Sequence, residues 1–457
     1  MQAQASQRVK LALILIAVVW VILWGMTCVF PGLTFGNVIL MSCVVAIAVL
    51  VPAYGNFGGR SAISVIAVVV GMLGIGVILN SYLFTIKLGG NPAHPVLLNI
   101  DFDRWWNDAL YHLGDEQGVQ APVSHGYYGY VLAGALWLFG KTVGAALIWS
   151  MMNTLATVLV VGAMTYRLTR ERTFGAISMV CVACVCYLLC MGTVILKDSF
   201  FIFAITLGAY GMTFRGRKFV LLVLLAALMI MMSRRTYLLM FIVGIGIVAV
   251  NRRNYILPAI CAAVCLIMWY LPEYLGFYSG YEFIITHDEK TMISYDSEQQ
   301  MAFYNIIGDY KELSFFKRIL YLPFCMVVQF FIPFPWNFTR DFDGGYTMLY
   351  AHISYPWYAF GYVTIYYIIS RIKTYRSALY RLAVWGVLCW LLPCYLFGGT
   401  ISRYTLCCVP LLASAVAVTV YNNRKSKKFY ILFAIFAVAA CVTLLVAHHL
   451  QSSAVVE

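Results

Sequence analysis

Long apolar runs separated by short basic segments recur along the whole chain. A helix of roughly 17 to 25 predominantly apolar residues is long enough to cross the hydrocarbon core of a membrane, and runs such as LALILIAVVWVILWGMTCVF and FYILFAIFAVAACVTLLVA have this length. We therefore predict an all-α fold, a polytopic transmembrane helix bundle of about 13 to 14 helices. The candidate helices lie near 11–30, 37–53, 62–85, 142–165, 174–195, 199–214, 219–233, 236–250, 254–271, 353–370, 381–397, 403–422 and 429–447.

Two further apolar stretches, 126–140 and 319–335, are short and interrupted by Gly or Pro. If neither spans the membrane, nearly every basic cluster falls on the same side as Arg8 and Lys10, as the positive-inside rule requires. If both span, three of those clusters move to the outside. We therefore interpret both stretches as re-entrant or interfacial segments. The clusters placed inside are Arg60, 167–172, 215–218, Arg252 with Arg253, 371–381 and 424–428.

This topology leaves two long polar loops on the outer face. Residues 86–125 form the first outer loop, and residues 272–352 form the second, which includes the re-entrant or interfacial segment; together they hold most of the acidic residues. No separate soluble domain fits between the apolar runs. We therefore assign residues 1–457 to a single integral membrane domain.

Composition supports a membrane environment and excludes an ordinary soluble protein. The chain is 63% hydrophobic and 11% charged, whereas soluble domains carry about a quarter charged residues. Its net charge of +13 lies in short loops between apolar runs, which indicates membrane orientation rather than nucleic-acid binding. Most of the 14 cysteines, including the CxxC pair Cys181 and Cys184, lie inside apolar segments, where they are expected to act as small hydrophobic residues.

The first outer loop contains the strongest candidates for chemistry. Its segment NIDFDRWWNDALYHLGDE places Asp101, Asp103, Asp108 and His112 among aromatic residues. Aromatic rings suit the C–H faces of sugars, and an ionised carboxylate can take the proton from an attacking hydroxyl group. The alternative is a solvated amphipathic segment with aspartates that cap helices.

Cationic residues also lie at the predicted outer ends of helices, where the positive-inside rule would not place them. They include Lys197 beside Asp198 in TVILKDSFF, Arg234 with Arg235 in SRRTYLL, and Arg403. Guanidinium groups are always charged and bind phosphate oxygens bidentately. Simple snorkelling to the interface explains one such residue, but several on one face favour an anionic lipid ligand.

Two late segments add further candidates to the outer face. The segment FFIPFPWNFTRDFDGGY contains Arg340 after two prolines, and a backbone interrupted in this way at membrane depth is expected to be buried in protein or to line a cavity. The segment LFGGTISRYTLCCVPLL places Arg403 and Tyr404 at the start of a helix.

The order of these features resembles the GT-C superfamily of polytopic glycosyltransferases, which use polyprenyl-phosphate or polyprenyl-diphosphate sugars as donors. Three parts carry the resemblance: the acidic loop DFDRWWNDALYHLG, the aromatic and glycine-containing GYYGYVLAGALWLFG that ends in Phe-Gly, and the late SRYTLCCVPLL. The resemblance covers roughly residues 62–422. In the family the loop usually carries an adjacent acidic pair, whereas Phe102 separates Asp101 from Asp103 here. The helix after this loop spans the membrane in the family, so the resemblance implies that 126–140 spans, whereas the distribution of basic residues implies that it does not.

The resemblance implies a membrane glycosyltransferase that moves a sugar or glycan from an undecaprenyl-phosphate or undecaprenyl-diphosphate carrier to a glycan, lipid or protein acceptor. It places the protein in the bacterial inner membrane with its active face in the periplasm. We expect no cofactor and no metal; the alternative is a divalent metal bound by the aspartates of the first outer loop, since some relatives with similar loops use a metal and others do not. Asp103 or Asp101 would deprotonate the acceptor, with Asp108 a further catalytic candidate. The cations that would hold the lipid phosphate are Lys197, Arg234, Arg235 and Arg403, and the remaining substrate-binding candidates are His112, Asp198, Arg340 and Tyr404.

Two alternatives share part of this chemistry. A polymerase or ligase of O-antigen or capsular polysaccharide would move whole repeat units, and the large second outer loop would suit a long glycan. A transporter of lipid-linked glycans is the other alternative, although the sequence shows no internal repeat and few charges in the middle of its apolar runs. The sequence does not identify the sugar or the acceptor.

Overall fold

The computed structural model describes residues 100–116, 118–120, 127–234, 237–249, 314–329, 356–397 and 405–454, and a few isolated positions elsewhere. Several predictions lie outside these residues. They are most of the predicted helices at 11–30 and 62–85, those at 37–53 and 254–271, most of the second outer loop, and Arg235, Arg340, Arg403 and Tyr404.

The described residues form helices and turns, with no strand among them, as the all-α prediction requires. The chain divides into two compact units, an N-terminal unit (Met1–Leu238 with Asp343–Tyr350) and a C-terminal unit (Leu239–Phe342 with Ala351–Glu457). The helices are α1 (Ile100–His112), α2 (Tyr128–Phe139), α3 (Val143–Thr169), α4 (Arg172–Ala183), α5 (Cys186–Met191), α6 (Lys197–Gly211), α7 (Arg217–Arg234), α8 (Tyr237–Ala249), α9 (Phe315–Gln329), α10 (Pro356–Ser370), α11 (Ala378–Phe397), α12 (Cys408–Asn423) and α13 (Lys427–Ala454).

The long helix α3 has well-defined signals at both ends. Thr142 precedes it, and its side-chain oxygen accepts a hydrogen bond of 3.1 Å from the backbone N–H of Ala145, which satisfies one of the amides that a helix leaves unpaired at its start. Arg170 follows it in the left-handed conformation, with φ of 63°. Within the helix, Thr157 and Thr165 donate their hydroxyl protons to carbonyl oxygens four residues earlier, so their polar atoms are satisfied inside an apolar segment.

In the N-terminal unit α6 and α7 form an antiparallel hairpin, and α3 packs along α6 in the same direction. The parallel course follows from two contacts: Trp149 near the start of α3 lies beside Phe200 near the start of α6, and Arg167 near the end of α3 reaches Thr213 just after α6. The helices α1 and α2 pack on each other. The backbone N–H of Tyr127 donates to the carbonyl oxygen of Met232, so α2 begins beside the end of α7.

In the C-terminal unit close helix contacts are built from aromatic residues. The indole nitrogen of Trp385 on α11 donates to the carbonyl oxygen of Met240 on α8 at 3.2 Å. Gly244 makes this approach feasible, since a Cβ atom there would lie 2.2 Å from the Trp385 ring. Tyr362 on α10 donates to the carbonyl oxygen of Phe429 at 2.7 Å and lies 5.3 Å from the Phe433 ring, which joins α10 to α13.

The observed helices differ from the predicted ones in two places of the N-terminal unit. The single helix predicted at 174–195 is wrong, because the structure has two helices, α4 and α5, with a break at Cys184 and Val185. No Gly or Pro stands at this break, so the residue pattern gave no signal for it. Helix α1 within the first outer loop was not predicted, since its polar residues obscure the helical period.

Helix lengths bear on which segments cross a membrane. Among the described residues, α3 and the stretch Ala378–Tyr395 of α11 are long and apolar enough to span, although a buried core helix can have the same length and composition. The twelve residues of α2 measure about 18 Å at the rise of an α-helix, which is shorter than a hydrocarbon core of about 30 Å. This length suits the interfacial or re-entrant interpretation of 126–140, which stays a prediction.

Candidate functional site

All three predicted catalytic residues lie on one short helix, α1. Asp101 and Asp103 belong to its first turn and Asp108 to its second half. Because an α-helix has 3.6 residues per turn, positions 101 and 108, seven residues apart, lie on the same face of α1. Position 103 is five residues from position 108 and lies on a different face. Positions 101 and 108 thus share one face of α1, two turns apart, and position 103 lies on another face.

Asp108 is buried at the contact between α1 and α2, with only 3% of its surface exposed. Its Oδ1 atom lies 3.4 Å from Nε2 of His112, one turn later on the same helix. Its Oδ2 atom lies against Gly129 of α2, so closely that a Cβ atom at that position would be 1.8 Å away. Only glycine at position 129 lets the carboxylate occupy this place.

The imidazole of His112 is held by a second residue of α2. Its ring stacks on that of Tyr130 with centroids 3.6 Å apart and an angle of 20° between the planes. Tyr111 contacts it edge-on at 5.4 Å. Carboxylate and imidazole therefore form a fixed pair, which we call the α1 pair, and both are oriented by α2.

A second charged pair lies where α6 begins and α7 ends. The guanidinium of Arg234 donates to Oδ1 of Asp198 at 2.5 Å, and the two side chains are 9% and 3% exposed. Asp198 is in the first turn of α6 and Arg234 in the last turn of α7, where the helix dipoles favour these charges. Both were predicted to bind substrate, and the structure joins them in a buried ion pair, the hairpin pair.

Trp105 and Tyr128 connect the two pairs. Trp105 lies one turn before Asp108 on α1, and the ammonium of Lys197, next to Asp198, lies 4.6 Å above its ring. Tyr128, next to Gly129, meets the Trp105 ring edge-on at 5.6 Å and is fully buried. A cation over an indole ring is stabilised by the ring quadrupole, so Lys197 is positioned as well as charged.

The aromatic residues that build this site were not among the residues proposed from the sequence. Trp105, Tyr128, Gly129 and Tyr130 place the charged groups but carry no charge themselves. For Tyr128, Gly129 and Tyr130 a signal was present in the motif GYYGY at the start of α2. The resemblance drew attention to that motif without giving its glycine a role.

The opposite end of the hairpin has a different chemistry. Arg167 donates to the carbonyl oxygen of Thr213 at 3.3 Å, and its guanidinium lies 3.8 Å from the centre of the Phe214 ring. The basic residues Arg170, Arg172, Arg215, Arg217 and Lys218 adjoin this end. Within the N-terminal unit, the two charged pairs thus lie at the end away from the basic cluster. The assignment of these two ends to opposite sides of a membrane stays a prediction.

The other predicted site residues are not placed by the structure. Arg235, Arg340, Arg403 and Tyr404 lie outside the described residues, as noted above. In the part of the chain that is described, no three His, Cys, Asp or Glu residues group in a way that could hold a metal ion. The expectation that the protein binds no metal stays a prediction.

Comparison with known proteins identifies no family for this chain. No family model matches the sequence, and no curated protein matches it significantly. Among solved structures, the chain is similar to a crystal structure of ArnT from Cupriavidus metallidurans bound to undecaprenyl phosphate, with 14% identity and a TM-score of 0.43. The match covers 81% of this chain and 64% of that one, so the chain spans less than two thirds of the length of ArnT. A TM-score at this level does not establish a shared fold.

Proposed function

We propose that the protein is a membrane glycosyltransferase that moves a sugar or glycan from a polyprenyl-phosphate or polyprenyl-diphosphate carrier to an acceptor hydroxyl on the outer face of the membrane. The observation that carries the proposal is the meeting of two kinds of group at one end of the N-terminal unit. A carboxylate with an imidazole, suited to move a proton, lies on the same helix as Trp105, whose ring face holds Lys197. The residue next to Lys197, Asp198, holds the second cation, Arg234.

The cations suit the phosphate of the donor. A leaving polyprenyl phosphate or diphosphate gains negative charge as its bond to the sugar breaks, and cations fixed beforehand stabilise that charge. Lys197 is fixed over Trp105, and Arg234 is fixed by Asp198. Asp198 then acts as a positioning residue for Arg234 rather than as a ligand of the substrate.

The groups on α1 suit the acceptor. A sugar hydroxyl is a weak nucleophile until a base takes its proton, and positions 101, 108 and 112 lie along one face of α1. Exposed aromatic side chains such as Tyr130, which is 51% exposed, present ring faces beside the pair. The positions of these residues support acceptor activation at α1 and leaving-group stabilisation at the hairpin pair.

The proposal is tested by reconstituting the full-length protein in vesicles of phosphatidylethanolamine and phosphatidylglycerol. Undecaprenyl-diphosphate glycans extracted from the membranes of the source organism are added, and the lipid products are followed by mass spectrometry. We expect release of undecaprenyl diphosphate together with a transferred glycan. A glycan lipid that stays intact in the presence of the protein and of acceptor glycans from the same membranes would contradict a transferase.

The same measurement separates the alternatives. A ladder of products that grows by whole repeat units would identify a polymerase, and transfer of one block to a different acceptor would identify a ligase. An unchanged glycan lipid that moves between the two leaflets would identify a transporter. A single added sugar is the result expected for a monosaccharide transferase.

A further inference from the structure

Asp108 is poorly placed to meet a substrate directly. One of its oxygens faces His112 at 3.4 Å and the other lies against the backbone of Gly129. Only 4% of its side chain is exposed, compared with 10% of the His112 side chain. Because both carboxylate oxygens face groups of the protein, a substrate hydroxyl has better access to the imidazole than to the carboxylate.

The geometry of the pair assigns different tasks to the two ring nitrogens of His112. Nε2 faces the carboxylate, so the proton that the neutral ring carries is favoured on Nε2, where the negative charge stabilises it. The lone pair then lies on Nδ1. An imidazole held in this tautomer by a carboxylate is the arrangement that general-base catalysis requires of an Asp–His pair.

The stacking on Tyr130 adds an independent constraint. A centroid distance of 3.6 Å and an interplanar angle of 20° restrict the plane of the imidazole, and its Nε2 atom lies 3.4 Å from Oδ1 of Asp108. Among the described residues, Asp108 and Tyr111 from α1 and Tyr130 from α2 contact the ring. Asp115, the next carboxylate along the chain, lies 3.8 Å from the ammonium of Lys141.

We propose that His112, oriented by Asp108 and by stacking on Tyr130, is the base that accepts the proton of the acceptor hydroxyl. This inference rests on the proposed function and departs from the expectation, taken from the resemblance, that an aspartate is the base. His112 is the catalytic residue in this scheme, and Asp108 is a positioning residue that acts through it.

The chemical step balances without any further reactant. The acceptor hydroxyl loses its proton to Nδ1 of His112, and its oxygen forms a bond to the anomeric carbon of the donor sugar. The bond between that carbon and the phosphate oxygen breaks, and its electron pair leaves with the polyprenyl phosphate or diphosphate. The proton on the imidazolium then passes to water, which restores the neutral ring.

The test uses the full-length protein in the vesicle assay described above. The variants are His112→Gln, His112→Ala, Asp108→Asn and the double variant His112→Ala/Asp108→Asn. A general base contributes about 10²- to 10⁴-fold to a rate, so we expect His112→Gln to lose at least about 100-fold in turnover number with donor binding unchanged. Added imidazole should restore part of the activity of His112→Ala, which has lost only the ring.

The double variant distinguishes positioning from a separate role. If Asp108 acts through His112, then Asp108→Asn lowers turnover in the wild-type background but costs little in the His112→Ala background, since coupled residues are not additive. Lys141→Ala, which changes an exposed ion pair, is the matched control for losses of activity during purification and reconstitution. Binding of the extracted glycan lipid to each variant shows that the site is still folded.

Each outcome separates the two proposals. A wild-type protein that transfers no glycan overturns the proposed function and this inference together. A wild-type protein that transfers glycan while His112→Gln retains full turnover overturns only the assignment of the base. The same holds if His112→Ala stays inactive with imidazole while Asp101→Asn or Asp103→Asn alone abolishes turnover, because an aspartate would then be the base.

Discussion

The two ends of the hairpin formed by α6 and α7 hold an arginine in contrasting ways. At the turn, Arg167 rests on a backbone carbonyl and the face of Phe214, and it adjoins a cluster of exposed basic residues. At the open end, Arg234 is buried against Asp198. Neutral partners are enough for a cation near solvent, whereas burial requires a counter-charge. The open end of the hairpin is therefore the place where two charged side chains are buried as a pair, although burying each charge costs free energy.

The largest effect is expected when the hairpin pair is broken from one side. Arg234→Met leaves the buried carboxylate of Asp198 without its guanidinium, and the removal of one partner from a buried pair costs about 3–5 kcal/mol. We expect a clear fall in the thermal unfolding temperature of the detergent-solubilised protein and a loss of turnover. Arg234→Lys, which keeps a positive charge, is the control.

The double variant Arg234→Met/Asp198→Leu sharpens this test. Replacing both partners by apolar residues of similar size is often neutral for stability, so we expect the unfolding temperature to recover while glycan transfer stays lost. Recovery of both quantities would show that the pair has only a structural role and would remove Arg234 from the proposed site.

The next largest effect concerns the contact between α1 and α2. A Cβ atom at position 129 would lie 1.8 Å from the carboxylate of Asp108, whereas at Gly134, on the same helix, it would meet nothing within 4 Å. Overpacking costs about 1–3 kcal/mol, so Gly129→Ala should lower both stability and turnover. Gly134→Ala should be neutral or should stabilise the protein by about 0.5–1 kcal/mol. Equal unfolding temperatures for the two variants would contradict the close approach of Asp108.

A smaller effect is expected at the turn of the hairpin. Arg167→Ala removes the hydrogen bond to Thr213 and the contact with Phe214, which together stabilise the protein by about 1–2 kcal/mol. Since this end is remote from the charged pairs along the hairpin, turnover of the folded protein should not change. A defect in glycan transfer without a loss of stability would show that the two ends are not independent.

The smallest effect is expected at the ion pair of Lys141 and Asp115, whose side chains are 49% and 33% exposed. Exposed pairs contribute about 0–1 kcal/mol, so Lys141→Ala should change the unfolding temperature very little. At high salt the change should be smaller still, because salt screens exposed charges. A loss comparable to that of Arg234→Met would mean that burial is not what distinguishes the two ion pairs.

The sequence pattern identified individual charged residues but not which of them form ion pairs. Lys197, Asp198 and Arg234 were identified because they stand at the ends of apolar runs, where charges are unusual. That Asp198 and Arg234 form a pair follows only from the antiparallel packing of α6 on α7, which brings together residues 36 positions apart. Residue type and spacing carry no information about such a contact.

The catalytic assignment shows a second limit of the sequence pattern. Asp101 and Asp103 were favoured over Asp108 because of the family resemblance, whereas the close packing that singles out Asp108 and His112 depends on a glycine of another helix. Helix α1 itself was missed because its polar residues lie within a polar segment. Its period becomes visible once Trp105 and Asp108 are known to face α2.

The hairpin pair also bears on how the protein is made. In a membrane, a lone Asp or Arg carried into the bilayer on its own helix costs roughly 2.5–3.5 kcal/mol at the centre, and less toward the ends. Because Asp198 opens one helix and Arg234 closes the next, insertion of α6 and α7 together lets each charge meet its partner during entry. If α6 and α7 cross the membrane as the sequence predicts, we expect the hairpin, rather than either helix alone, to be the unit that inserts.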